Sequence, residues 1–114
     1  MTTTKTVLFD TQYAPSVDTA MFTSPSEGLG TTIDKFTATN RDTVTRTITV
    51  RLVPPDEAPT GTDFVVVIAK ALAANQTYLM PEIVGQMLNA GGAIWVEASA
   101  ANVVVIRASG RNES

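Results

Sequence analysis

The chain contains neither cysteine nor histidine. The first absence excludes disulfide scaffolds, thiolate metal sites and cysteine nucleophiles. The two together remove the usual serine and cysteine triads and every His-based zinc site. Clusters of Lys or Arg are also missing along the sequence, and the net charge is −3, so nothing in the order of residues marks a phosphate-backbone footprint. No nucleic-acid partner is expected. The longest apolar run, residues 64–69, is too short to span a bilayer. Met1 to Lys5 are threonine-rich and carry no apolar stretch of the signal-peptide kind. The expectation is a protein made in the cytoplasm with no membrane partner. The glycine clusters Gly28-Leu29-Gly30 and Gly91-Gly92 lack the lysine and the strand-to-helix context of a phosphate loop and read as turns. Without a secretory route, the acceptor-like triplets Asn75-Gln76-Thr77 and Asn112-Glu113-Ser114 are read as chance.

What the sequence has in quantity is β-forming residues. Its 18 threonines and many valines favour pleated sheet over helix, and 114 residues suffice for one hydrophobic core. In residues 43–55, Val44, Ile48, Val50 and Leu52 share one parity, while Thr43, Thr45, Thr47, Thr49 and Arg51 share the other. Arg46 falls on the inward parity. It reads as a snorkelling sheet-edge residue in preference to a contact with another subunit. Val7 and Phe9 alternate against Thr6 and Leu8 in a first short strand, and 20–23 form a second. Ile33, Phe36 and Ala38 do not hold one parity, which predicts a β-bulge between Ile33 and Phe36. With Asn40-Arg41-Asp42 as a tight turn, residues 31–53 read as a hairpin.

Pro54 to Thr62 form a surface loop because proline cannot donate to a ladder. The apolar stretch 64–73, with four consecutive β-branched residues, reads as a strand buried on both faces in preference to a short core helix. A further strand over 76–80 stops at Pro81, and 82–88 make at most one irregular turn. Gly91 and Gly92 supply the positive φ for a turn into a closing hairpin whose strands carry Ile94 and Val96 inward and extend over 103–108. The fold class expected is therefore all-β, an antiparallel sandwich or jelly roll of about eight strands. The organisation expected is a flexible arm over 1–4, a single domain over 5–110 and a tail over 111–114.

Candidate chemistry is sparse. Glu82 and Glu97 are the carboxylate pair nearest to a glycosidase constellation, but a capping or interface role for Glu82 and a solvated strand position for Glu97 is the preferred reading. Asp56-Glu57 and the Asp10 and Asp18 pair lack the alternating oxygen ligands of a calcium loop. Neither a cofactor nor a metal is expected. Trp95, the only tryptophan, lies on an outward parity. It reads as a residue covered by a loop of its own domain, as an interface anchor or as a sugar-stacking platform. Together with Val103 and Val105 it forms a candidate apolar patch on the closing hairpin, the expected interface of a homo-oligomer.

Several segments resemble a family of small phage and prophage virion proteins. The resemblance rests on Tyr78, Pro81, Glu82, Ile83 and Gly85, then on Gly91, Gly92, Ile94, Ala98, Ser99, Ser109 and Gly110. Upstream it includes Phe22-Thr23-Ser24-Pro25, Ile33, Phe36, Ala38, Asn40 and Leu52-Val53-Pro54. It covers residues 19–110, and its motifs concern packing and turns. It implies a non-enzymatic virion structural protein, a capsid-decoration or neck and collar accessory whose partners are further copies of itself and capsid, portal or tail components. The alternative is a carbohydrate- or receptor-binding module at the tail tip, with Trp95 and the Tyr13 loop as stacking platforms.

Overall fold

The computed structural model describes residues 2–114. Among the described residues nine strands form two antiparallel sheets: β1 (Thr3–Tyr13), β2 (Thr19–Thr23), β3 (Gly30–Asn40), β4 (Arg46–Val53), β5 (Val65–Leu72), β6 (Thr77–Tyr78), β7 (Met87–Leu88), β8 (Ala93–Ala98) and β9 (Val104–Glu113). The first sheet has the order β1-β9-β3-β6, with β7 on the same side of β3 as β6, and the second has the order β2-β8-β4-β5. Taking β6 and β7 as one interrupted strand, this is the eight-stranded order of a jelly roll.

Laid flat, the chain is one long hairpin in which β1 pairs with β9, β2 with β8, β3 with β6 and β7, and β4 with β5. The additional ladders β3:β9 and β4:β8 close the roll. Strands adjacent in sequence therefore tend to lie in opposite sheets, which corrects both expected hairpins. Residues 31–53 are not a hairpin, because β3 belongs to the first sheet and β4 to the second. Gly91 and Gly92 connect β7 to β8 across the sandwich, and β8 and β9 also lie in different sheets. The turn itself has the predicted chemistry. Gly91 has φ +85°, and a Cβ on Gly92 would stand 3.0 Å from the Asn89 carbonyl oxygen.

The core lies between the sheets. Ile33, Phe36, Ile48, Val50, Ile94, Val96, Val104 and Ile106 are fully buried, and Met80 and Ile83 close one end from the turn after β6. Ile94 and Val96 face inward as their parity predicts. The bulge expected in β3 is also present, where Ile33 pairs with Gly110 and Lys35 with Ser109, leaving Asp34 as the extra residue. The alternation in β1 does not reveal a further bulge there. β1 slips by one residue between Val7 and Phe9, so Leu8 and Phe9 are both buried while Val7 turns outward. Phe9 then meets Phe36 edge-to-face at 5.2 Å.

Three further expectations are corrected. Within the expected arm and tail, Thr3 pairs with Glu113 and Thr4 with Asn112 as strand, Met1 lying outside the described residues, and the Ser114 N–H donates to the Thr2 carbonyl at 2.9 Å. Asn112 is held there by Thr31, whose hydroxyl donates to Asn112 Oδ1 at 2.7 Å. Thr31 having spent its one proton, the 2.7 Å contact from buried Ser24 must be donated by Ser24. Second, β5 is an edge strand with Val66 and Ile68 exposed, where a strand buried on both faces was expected. Third, Val44 lies in the turn before β4 and is exposed. That turn hangs on Asn40, whose amide donates to the carbonyls of Val44 and Leu72 at 2.9 Å each and so joins the end of β3 to the opposite sheet.

Candidate functional site

The residues expected to form one apolar patch do not meet. Trp95 lies on β8 in the second sheet, paired with Ala20 and Arg51, while Val105 lies on β9 in the first sheet, paired with Tyr13 and Thr39. The core separates these two outer faces. Val103 is half-buried against that core. Trp95 and Tyr13 consequently cannot form one stacking platform, and the Tyr13 hydroxyl accepts a hydrogen bond from Arg41 Nη1. Arg46 sits at the start of β4, where its Nε and Nη2 donate to Asp42 Oδ2 at 2.8 and 2.7 Å. That bond, with the Thr43 N–H on the other oxygen, holds the Asp42 carboxyl below its ordinary value.

The outer face of the second sheet is organised by a residue that parity placed in solvent. Arg51 does point outward, yet it is only 8% exposed. Its Nε donates to Asp18 Oδ2 at 2.7 Å, bridging across β8 beside Trp95. Its Nη1 and Nη2 donate to the carbonyls of Asp63 and Gly61 at 2.7 and 2.6 Å. Arg51 thus spends its planar fork on pinning the 54–64 loop over this face. The loop is also tied internally, because the Thr60 hydroxyl donates to Asp63 Oδ2 at 3.1 Å. Asp56 and Glu57 stand exposed on it, and Phe64 at its end is 37% exposed.

A second feature is assembled by register alone. Lys5, Lys35, Arg107 and Arg111, four of the eight Lys and Arg, share the outer face of the first sheet on β1, β3 and β9. Arg111 Nε donates to both oxygens of Asp34 at 3.1 and 3.0 Å, and Arg107 pairs with Asp10 at 3.5 Å. Among the described residues Lys5 and Lys35 make no ion pair. Lys5 and Arg107 line an open depression of about 480 Å³ on this face, together with Val7, Asp34 and Ser109. Its place is set by the two bulges, which flank β9 at Leu8 and Asp34 and re-aim the neighbouring side chains. No Lys or Arg cluster is visible along the chain because these residues are scattered from 5 to 111.

The two carboxylates weighed for glycoside hydrolysis are used separately. Glu97 lines a polar depression with Thr47, Thr49 and Ser99 on the second sheet. Glu82 accepts hydrogen bonds from the Tyr78 hydroxyl at 2.5 and 2.6 Å, and Lys70 Nζ stands 5.0 Å from the Tyr78 ring centroid. Burial first, and then the bond to Glu82, push the Tyr78 hydroxyl up from its ordinary 10.0 to about 12. The same bond lowers Glu82, with Lys70 adding to it.

Neutral Tyr78 on ionised Glu82 is therefore the favoured pair. The Glu82 contribution to stability is present above its unfolded value of 4.5 and is lost as pH falls through the folded value. The Tyr78 contribution is whole below 10.0 and is lost as pH rises from there to about 12. Tyr78→Phe is expected to flatten both limbs of the melting temperature against pH. In a Tyr13→Phe background, which leaves one tyrosine, tyrosinate absorbance is expected to appear with a midpoint near 12. A midpoint at 10.0 would refute the assignment.

No protein-family model, no curated protein and no solved structure matches the chain.

Proposed function

We propose that this chain is a non-enzymatic structural protein of a tailed-bacteriophage particle, a capsid-decoration or neck accessory present in multiple copies. The observation that carries the reading is an apolar free edge. Val66 and Ile68 are 40% and 65% exposed on β5, which pairs only with β4 among the described residues, and Phe64, just before the strand, is 37% exposed. A strand edge with unpaired backbone groups and large apolar side chains is a template for association, and proteins that stay monomeric blunt such edges. Here the blunting is partial: the ladder slips between Ile48 and Val50, and the Thr49 hydroxyl accepts the Ala69 N–H at 3.0 Å.

The jelly-roll order supports the same reading at the level of fold, since viral capsid domains use it alongside lectins and cupins. The resemblance to phage virion proteins supplies the context. A made-to-dock role also suits a domain whose β1 and β9 are paired along most of their length. The test is mass spectrometry of extensively washed particles from a host producing the protein. The expected result is many copies per particle, in fixed ratio to the major capsid or neck component. Its absence from such particles would overturn the proposal.

A further inference from the structure

The chain carries two oppositely charged surfaces that it cannot bring together by itself. The 54–64 loop holds Asp56, Glu57 and Asp63 and no Lys or Arg. Through the Gly61 and Asp63 carbonyls, Arg51 fixes it over the outer face of the second sheet. The basic depression lies on the outer face of the first sheet, with the core between. From this geometry we infer that the acidic loop of one copy docks on the basic face of the next. The inference rests on the multi-copy reading above and specifies its contact.

Charge is distributed as such a contact requires. Asp63 is occupied by Thr60, which leaves Asp56 and Glu57 free at the loop surface. On the receiving face, Asp10 and Asp34 answer Arg107 and Arg111, while Lys5 and Lys35 are exposed without a counter-charge among the described residues. Val7, 47% exposed in the same depression, provides an apolar surface for Phe64 or the loop prolines. The interspersed carboxylates disfavour a continuous phosphate backbone and suit a protein segment of mixed charge and apolar character. Because the loop is held by Arg51 before it docks, little ordering cost is incurred on binding. A contact between two different surfaces of one chain is heterologous, so it propagates into a ring or a filament.

The experiment is sedimentation velocity on the full chain at low and high salt. The unmodified protein is expected to self-associate, and to do so less as salt shortens the reach of the charges. Lys5→Glu with Lys35→Glu reverses the face, and Asp56→Lys with Glu57→Lys reverses the loop. All four positions are exposed, so circular dichroism melts are expected to stay unchanged. Each double variant alone is expected to associate at least about tenfold more weakly. Mixed in equal amounts they are expected to regain association, because each then meets a surface of opposite charge. A mixture that stays monomeric, or single-sided variants that associate like the parent, would overturn the loop-to-face contact and leave the multi-copy reading standing. A parent chain that remains monomeric at every concentration and off particles would overturn both. Retention of duplex DNA by the parent, lost on reversing the face and without self-association, would assign the face to a polyanion and overturn the contact.

Discussion

Arg51→Met is expected to cost roughly 2–4 kcal/mol of stability, because removing one partner of a largely buried ion pair strands the other. The side chain of Asp18 is only 23% exposed, and its Oδ1 already has no hydrogen-bond partner among the described residues. Without Arg51, neither carboxylate oxygen is satisfied. The Gly61 and Asp63 carbonyls lose their donors at the same time. With those bonds gone the loop is no longer tied to β4 through Arg51, so the cost divides between the stranded charge and the freed segment. The double variant Arg51→Met with Asp18→Leu separates the two. It removes the stranded charge and is expected to recover part of the stability in urea denaturation, while the loop stays as open to limited proteolysis as in the single variant. Equal stability of Arg51→Met and the parent, with the loop still protected, would show that the fork does not hold the loop. The same variant bears on assembly, since a released loop presents Asp56 and Glu57 with a larger ordering cost.

Local pattern revealed elements and faces, and it could not reveal partners. The all-β class, the strands β2, β4, β8 and β9, the bulge at Asp34, the inward Ile94 and Val96 and the positive φ at Gly91 all follow from period-two alternation and turn chemistry within a few residues. The two hairpins failed because a jelly roll pairs early strands with late ones, and alternation carries no record of which strand lies alongside. The 64–73 stretch has the composition of an interior strand yet occupies an edge. Arg51 has the outward parity it was given, but a loop ten residues further on folds over it. The basic face is the clearest case. Lys5, Arg107 and Arg111 each lie on the outward parity of their strand, and they become neighbours only once β1 is known to pair with β9.

Gly110→Ala is expected to destabilise the protein by at least about 3 kcal/mol, through collision rather than through loss of glycine's flexibility. Gly110 lies on β9, the strand flanked by both neighbours at this level, with Thr6 on one side and Ile33 on the other. A Cβ there would stand 2.1 Å from the Thr32 carbonyl oxygen and 3.4 Å from the Ile33 Cα. Those are backbone atoms, so no rotamer change relieves the contact. The β3:β9 ladder must open just before the bulge at Asp34, and that pulls on Ile33, which is fully buried. The change also disturbs the floor of the basic depression, so weakened self-association should accompany the lost stability. Gly85→Ala is the control. Its φ of +91° disfavours alanine, but nothing lies within 4 Å of the added carbon, and its cost is expected to be about 1–2 kcal/mol. Melting both variants beside the parent decides the matter: a Gly110→Ala protein no less stable than Gly85→Ala would mean that β9 does not pack against β3 in this register.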